Sequence, residues 1–538
     1  MTQFHFNKPC KSLEVLLTSE AGARFESQEN ISFGQEQADG PVIVVRPEVV
    51  NQTIDGIGTS FTEASAFVLA HLDPAQRHEI MGQIYGADGA NFTLFRTHIG
   101  SCDFCVEGRY SYAPVADDLD LEHFTIAADS DGFDPSSYPG IKDPHFDLLG
   151  MIKEAMAIKG GQGDSALRIV ASAWTAPPWM KDIGDWYIPG CAENDWQGTG
   201  GSLKPEHFST YAAYLVKYLQ AYQAEGIDIW GLTPVNEPCG NNGQWESMHF
   251  TPETQRDFIN RQLGPMLHSA GFTTLKLLAY DQNRDQMEEW ADALFSDTAC
   301  ARFTYGLAVH WYSSTFKVYE DILLKIKRKY PNQRIIHTEG CIDDLGREAP
   351  AGVGDPIRFK ESGWFDNDAF WWNKNATDWA YTASWPGVDP DDHPLYTPVH
   401  RYARDIIVGL NNGLSGWIDW NIVLDSKGGP NHVGNFCGAP IMIDTETGKA
   451  HFTPVFHILK QFSRTIRPGD RMVQADIHHN TAGIEPLYAC ATLNDEKVVS
   501  LQVLNTCKDD VDYSLQIGNR LAAVKIPANS LQTVRIQL

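Results

Sequence analysis

The sequence predicts an α/β architecture: a (β/α)8 barrel with an antiparallel β-sandwich side domain appended to it. Three observations carry the prediction. Eight short apolar runs rich in β-formers recur at residues 54–58, 91–99, 167–174, 230–237, 275–281, 305–312, 334–339 and 414–421, most of them closing on a polar or aromatic cluster. Segments of helical spacing separate most of these runs, and eight strands alternating with helices is the pattern of a closed parallel barrel. From about Phe452 the texture changes to short runs of period two with intervening Asn, Asp and Gly, which is antiparallel β.

Residues 1–50 have β texture at Val42, Ile43, Val44 and Val45 and are expected to lend strands to the side domain. The barrel is expected over 51–450. Its clearest helix is 208–225, where Tyr211, Tyr214, Leu215, Tyr218 and Leu219 share one face, and 283–296 and 316–329 read the same way. A doubly wound sheet is the rival fold. It usually carries a phosphate loop, and the nearest candidate fails: Gly56 and Gly58 are followed by Thr59, Ser60 and Phe61, with no third glycine. Residues 451–538 are expected to form the sandwich, from runs such as 487–491, 498–504 and 533–538.

The chain has 538 residues, and at about 100–200 residues per domain its length alone allows three to five. The barrel pattern reduces that to one large unit and one small one. With 69 acidic and 42 basic residues the net charge is −27, a field that repels phosphate backbones and anionic lipid surfaces, so neither nucleic acid nor stable membrane insertion is expected. The first thirty residues lack the basic start and apolar core of a secretory signal, so a cytoplasmic location is expected unless a leader has been trimmed. Ten scattered cysteines are no disulfide framework. Cys102 and Cys105 form a lone CxxC without the second pair a zinc site needs, and residues 129–132 resemble a fragment of a calcium loop without its closing Glu. No metal and no cofactor is expected.

Catalytic groups of such barrels sit at the C-terminal ends of strands. That rule picks out Glu237, closing the fourth predicted strand before Pro238, and Glu339, closing the seventh before Gly340. Taken singly, each is explained as a salt-bridged rim residue. Taken together, two carboxylates at the mouth of one barrel point to acid–base or nucleophilic work on a bound substrate.

The motifs around them are more specific. Phe95-Arg96 is followed by Ser101-Cys102-Asp103-Phe104, Trp174 opens Thr175-Ala176-Pro177-Pro178-Trp179, and Asn236 precedes Glu237-Pro238. Val309-His310-Trp311-Tyr312, Thr338-Glu339-Gly340-Cys341 and Gly416 to Asn421 follow in order, the last with Gly428-Gly429-Pro430-Asn431. In this order and at these spacings the sequence resembles glycoside hydrolase family 30, in its glucosylceramidase-like group, from about Gly56 to the C-terminus. The resemblance implies a retaining β-glycosidase in which Glu339 is the nucleophile and Glu237 the acid and later the base, some 5–5.5 Å apart. It implies that Asn236 bonds the sugar 2-hydroxyl, that Tyr312 holds Glu339, and that Arg96 favours its ionised form. Asp103, Trp174 and Trp420 match positions that bind the terminal sugar, His310 is expected in the same pocket, and Asn435 at its rim. For each of these the bland reading is a core residue at a strand end.

A carboxylate at Asp103 would accept from neighbouring hydroxyls such as those on C4 and C6 of glucose, which favours exo action and a β-glucosidase over a β-xylosidase. A β-1,6-glucan hydrolase, exo or endo, is the alternative within the enzymes, and a non-catalytic sugar-binding protein the alternative outside them. The sequence departs from the lysosomal-type pattern over 343–398, a stretch carrying Trp364, Trp371, Trp372, Trp379 and Trp385. It reads either as a stacking wall for the leaving group or as a lid packed by its own aromatics, and as a lid it also offers a homodimer contact. With Trp245 expected on the acceptor side, a carbohydrate leaving group fits better than ceramide.

Overall fold

The computed structural model describes residues 13–34, 38–160, 166–342, 364–373, 397–478 and 487–538. Three strands come first, β1 (Glu14–Ser19), β2 (Arg24–Ser27) and β3 (Val42–Thr53). The next eight are β4 (Gly56–Phe61), β5 (Leu94–Ile99), β6 (Arg168–Ala173), β7 (Gly231–Thr233), β8 (Lys276–Asn283), β9 (Gly306–His310), β10 (Arg334–Glu339) and β11 (Leu414–Asn421). These eight form a closed barrel with every neighbouring pair parallel, and each is one of the runs read from the sequence. Helices pack outside, among them Leu148–Lys159, Phe208–Ala224, Met287–Phe295, Glu320–Lys329 and Pro398–Asn411. Phe208–Ala224 buries Tyr211, Tyr214, Leu215, Tyr218 and Leu219, the apolar stripe its spacing predicts, and Tyr222 in addition.

The lumen is filled in layers, and the layers follow from the two-residue period of a strand. Leu94, Val170, Leu278, Ala308, Ile336 and Ile418, from six different strands, form one fully buried apolar plug. Two residues further along five of those strands stand Arg96, Ser172, His310, Thr338 and Trp420. The plug thus carries a polar and aromatic layer directly above it, towards the mouth. On β8 the same step would bring Tyr280 inward. Instead the register slips between Tyr280 and Gln282, and Tyr280 and Asp281 both take left-handed backbone, with φ +75 and +63. Tyr280 packs on Trp290 at 5.0 Å between ring centroids, and Asp281 enters the polar layer in its place.

Beyond the barrel lie a small sheet of β12 (Val423–Asp425), β13 (Ile441–Ile443) and β14 (Ala450–Phe452), and then β15 (Arg471–His478), β16 (Tyr488–Leu493), β17 (Val498–Asn505), β18 (Val511–Ile517), β19 (Arg520–Ile526) and β20 (Ser530–Gln537). The last six share one nine-stranded sheet with β1, β2 and β3, in the order β19-β18-β3-β15-β16-β17-β20-β1-β2. This sheet doubles back on itself. Tyr513 on β18 donates its hydroxyl to Gln532 on β20 at 2.9 Å, across five positions of strand order, and the apolar faces of both halves join in one core.

The helix Pro454–Thr465 packs against both β4 of the barrel and the β1–β20 side of the sheet. Their contact contains a closed chain of buried amides and hydroxyls. Thr18 donates to Gln461 Oε1 at 2.7 Å. Gln461 Nε2 donates to the Leu531 carbonyl and to Thr533 Oγ1, both at 3.0 Å, and Gln502 Nε2 donates to Thr465 Oγ1 at 2.8 Å. Gln461→Ala strands several of these groups without water. It is expected to cost about 1–3 kcal/mol in a urea melt while leaving turnover intact.

Candidate active site

Arg96 is fully buried in the polar layer and its guanidinium is spoken for on every side. Nε donates to Ser172 Oγ at 3.0 Å. Nη2 donates to Asn236 Oδ1 at 2.5 Å and Asp281 Oδ2 at 2.9 Å, and Nη1 donates to Glu339 Oε2. Its face lies against two indoles, with Cζ 4.8 Å from the Trp174 ring and 5.4 Å from that of Trp420. One cation therefore fixes the positions of a carboxylate and an amide from two different loops.

Asp281 is the counterweight. Besides Arg96 it accepts from Ser172 Oγ at 3.0 Å, from Thr233 and Thr338 hydroxyls at 2.7 Å each, and from His310 Nε2 at 3.0 Å. Burial alone would raise its pKa, but Arg96 and His310 outweigh that and hold it well below the ordinary carboxylate range. Its charge in turn reaches His310. Burial opposes charging that imidazole, yet Glu339, Asp281 and Glu237 together raise it to about 9. His310 Nδ1 lies 3.4 Å from Glu237 Oε1, so an imidazolium links Asp281 to Glu237.

Glu237 follows β7 in left-handed backbone, with φ +52, and its N–H donates to the Asp281 carbonyl at 2.9 Å. Glu339 ends β10. Tyr312 donates its phenol to Glu339 Oε1 at 3.0 Å. Burial pushes the Glu339 carboxyl up, His310 and Arg96 pull it down, and Glu237 adds to the rise. An oxygen of Glu237 and one of Glu339 lie within 4.8 Å of each other.

Both carboxylates open into a cavity of about 440 Å³. It is also lined by Asp103, Trp174, Trp420 and Asn435, and by Asn241, Asn242, Gln244, Trp245, Gln282 and Asn283. Trp174 and Trp420 stack at 5.3 Å between centroids, and Asn435 Nδ2 donates to Asp103 Oδ2 at 3.0 Å. Burial, and secondarily Glu339, raise the Asp103 pKa to about 8. The open site thus holds Asp103 mainly as the acid at neutral pH, rather than as the carboxylate its position suggests.

The profile of the glycosyl hydrolase family 30 TIM-barrel domain matches residues 54–358 and 392–466, and that of the family's beta sandwich domain matches residues 476–534. The chain belongs to glycosyl hydrolase family 30. It is a glycosidase of O-glycosyl bonds. The chain is 27% identical to mouse lysosomal acid glucosylceramidase over 94% of its own length and 87% of the mouse protein. It is 24% identical to the endo-1,6-beta-D-glucanase of Neurospora crassa over 85% of its length and 80% of that protein. In fold it is similar to SrfJ from Salmonella typhimurium, with a TM-score of 0.77 at 24% identity over 98% and 100% of the two chains.

Within this family 30 site, nine of the eleven residues singled out from the sequence line the cavity. Arg96 and His310 do not. They stand fully buried behind its wall and reach the carboxylates instead of the substrate space. Asp281 does not stand out in the sequence, because it closes the run 275–281 at the wrong parity, between Tyr280 and Gln282, with no motif around it. Of the five tryptophans of 343–398, Trp364, Trp371 and Trp372 are buried, with Trp371 donating to the Trp364 carbonyl at 3.0 Å, which for these three fits the alternative of aromatics packed on one another; Trp379 and Trp385 lie outside the described residues. Asp129 of the calcium-like fragment is buried and accepts from the hydroxyls of Tyr110, Tyr112 and Tyr222.

Among the described residues, two groupings have the spacing of metal ligands. Glu237, His310 and Glu339 form one, but Arg96 and a charged His310 already supply its positive charge. His98, Cys102 and Cys105 form the other. There His98 Nδ1 faces the Gly100 carbonyl at 2.7 Å and Nε2 accepts from the Glu63 N–H at 3.2 Å, so both ring nitrogens are engaged. Burial raises both thiols, Cys102 to about 11.

Two outcomes follow. Asp281→Asn removes the buried partner of Arg96 and is expected to destabilise the fold by about 3–5 kcal/mol, read by denaturant unfolding. His310 has a pKa raised above its unfolded value of 6.5. Its stabilising contribution is complete below about pH 6.5 and drains away as pH rises through about 9. The stability gap between wild type and His310→Gln should therefore be widest in acid and close by about pH 9–10.

Proposed function

We propose that the protein is a retaining, exo-acting β-glucosidase in which Glu339 is the nucleophile and Glu237 the acid–base residue. The observation that carries this is the separation of under 4.8 Å between their nearest oxygens. Retaining enzymes hold the two carboxyl groups about 5–5.5 Å apart, and inverting ones about 6.5–9.5 Å, to admit a water.

In this reading Glu339 attacks the anomeric carbon. Arg96 and the Tyr312 phenol favour its ionised form and aim it. Glu237 delivers its proton to the leaving oxygen, and a glycosyl-enzyme forms. Consuming the Glu339 charge removes the repulsion between the carboxylates, so Glu237 is left as the base for an incoming water. The Asn236 amide, oriented by Arg96, is placed to bond the 2-hydroxyl. The Trp174–Trp420 stack, Asp103 and Asn435 close the donor end, which supports cleavage of a terminal sugar. A sugar bonding Asp103 through two hydroxyls draws out its ionised form. The amide-lined opposite end suits a hydroxylated leaving group better than an alkyl chain.

Azide tests the assignments. Glu339→Ala should lose turnover and, with azide, regain it as the α-glycosyl azide. Glu237→Ala should lose about 10²–10⁴-fold on poor leaving groups, little on a dinitrophenyl glucoside, and give the β-glycosyl azide. A wild type inert on every β-glucoside, or azide products of the opposite anomer, would overturn the reading.

A further inference from the structure

The loop bearing Glu237 is braced by a hairpin that no part of the mechanism so far uses. Residues 188 and 199 pair through two backbone bonds of 2.8 Å, and at the tip of this hairpin Trp196 is 69% exposed. Exposing that much indole to water is unfavourable. The tip is also strained, since Asp195 and Trp196 both take left-handed backbone, with φ +53 and +61. With most of the indole left in water, packing of the Trp196 ring returns little for either cost.

The hairpin is nonetheless fixed against the acceptor wall. Asn241 and Asn242, adjacent in that wall, each secure one tryptophan turn. Asn241 Nδ2 donates to the Trp245 carbonyl at 3.2 Å, and its Oδ1 accepts from the N–H groups of Gly243 and Gln244 at 3.1 and 3.2 Å. Asn242 Nδ2 donates to the Trp196 carbonyl at 3.3 Å, and its Oδ1 accepts from the Gly198 N–H at 3.0 Å. Both amides are thereby engaged within the protein, Asn241 Oδ1 also accepting from Ser247 Oγ at 3.3 Å, and the two indoles stand beside them. The approach is close enough to require glycine: a Cβ on Gly198 would lie 1.9 Å from the Asn242 carbonyl oxygen, and one on Gly243 2.1 Å from that of Ile188. Below, the buried Lys181 ammonium donates to the carbonyls of Trp186, Gly200 and Ser247 at 2.7, 2.8 and 3.0 Å, tying hairpin and acid loop together.

We propose that Trp245 and Trp196 are successive platforms for sugar rings on the leaving-group side of the cleft, so that the substrate is a saccharide with at least two units beyond the scissile bond. This rests on the assignment of Glu237 as the acid, which makes its loop the acceptor wall. Aromatic faces suit the apolar faces of pyranose rings and tolerate small changes of linkage. On the donor side Asp103, Trp174 and Trp420 are buried, and on the acceptor side the hairpin bonds the cavity-lining Asn242.

The test uses nitrophenyl β-glucoside and glucose oligomers of two, three and four units, in whichever β-linkage the wild type cleaves fastest. Trp196→Ala should raise KM for the three- and four-unit substrates about 3- to 10-fold relative to its effect on the nitrophenyl glucoside, the scale of one aromatic contact, with kcat little changed. Trp196→Tyr should restore most of it. An equal effect on all substrates would mean that the tryptophan only supports the loop, and no effect at any length would mean that it contacts no sugar. Either overturns the proposal. A wild type that cleaves the nitrophenyl glucoside but no oligomer overturns it too, and leaves the glucosidase reading standing. A wild type that cleaves neither overturns that reading as well.

Discussion

A guanidinium and a carboxylate, both without access to water, face each other at 2.9 Å in the barrel of this protein. Taking either charge alone out of water costs several kcal/mol, so neither is tolerable without the other and without further hydrogen bonds. Arg96 and Asp281 meet that requirement by recruiting their surroundings: Ser172, Thr233, Thr338, His310, Asn236 and Glu339. These residues come from β5, β6, β7, β8, β9 and β10 and the loop after β7. The need to satisfy one buried pair thus fixes six barrel strands relative to one another at the level where the substrate sits. A residue held by such a network has few alternative positions, which is the condition for a preorganised site.

Part of this was legible in the sequence: the strand-end rule finds Glu237 and Glu339, and the resemblance to family 30 supplies Arg96, His310 and Trp420. The structure adds the parity of the strands as the physical reason that these residues meet. Once Leu94, Val170, Ala308, Ile336 and Ile418 are taken as inward apolar residues, Arg96, Ser172, His310, Thr338 and Trp420 must point the same way. The failure of the method is equally specific. On β8 parity assigns the inward place to Tyr280, and only the slipped register and two left-handed residues give it to Asp281. Neither residue is glycine, so no turn signal marks the bulge. Information of that kind resides in what the rest of the layer requires, namely an anion opposite Arg96, and not in the local segment.

The tryptophans divide along a similar line. Trp174 and Trp420 occupy the mouth because strand position puts them there. Trp364, Trp371 and Trp372 are close in sequence and looked like a surface feature, yet they are core. Local density of an aromatic residue says little about its exposure, because the same indole that stacks on a sugar is also a large apolar body that gains by burial. Trp196 lies in a segment with no strand or helix signal, and its meaning depends on the neighbouring loop of Glu237 and Asn242, which is distant in the chain.

Backbone strain shows where the fold gives up stability. Of the fourteen non-glycine residues with positive φ among those described, Glu237, Asn242, Tyr280, Asp281, Asp195 and Trp196 belong to the loop of Glu237, to the β8 bulge that this loop bonds and to the hairpin beside it. Such conformations cost on the order of 1–3 kcal/mol each and persist only where their surroundings overdetermine them. Here the surroundings do so. Glu237 is held through its N–H to Asp281, and Asp281 by five side-chain donors from its neighbours. Asn242 and Trp196 hold each other. The strain and the network are one arrangement, since the bonds that keep Glu237 in its turned conformation belong to the group that buries the charge of Arg96. A change that relaxed the backbone at any of these positions would move Glu237 relative to Glu339, and on the proposed mechanism the few ångströms between them decide whether a water or a covalent bond fills the gap.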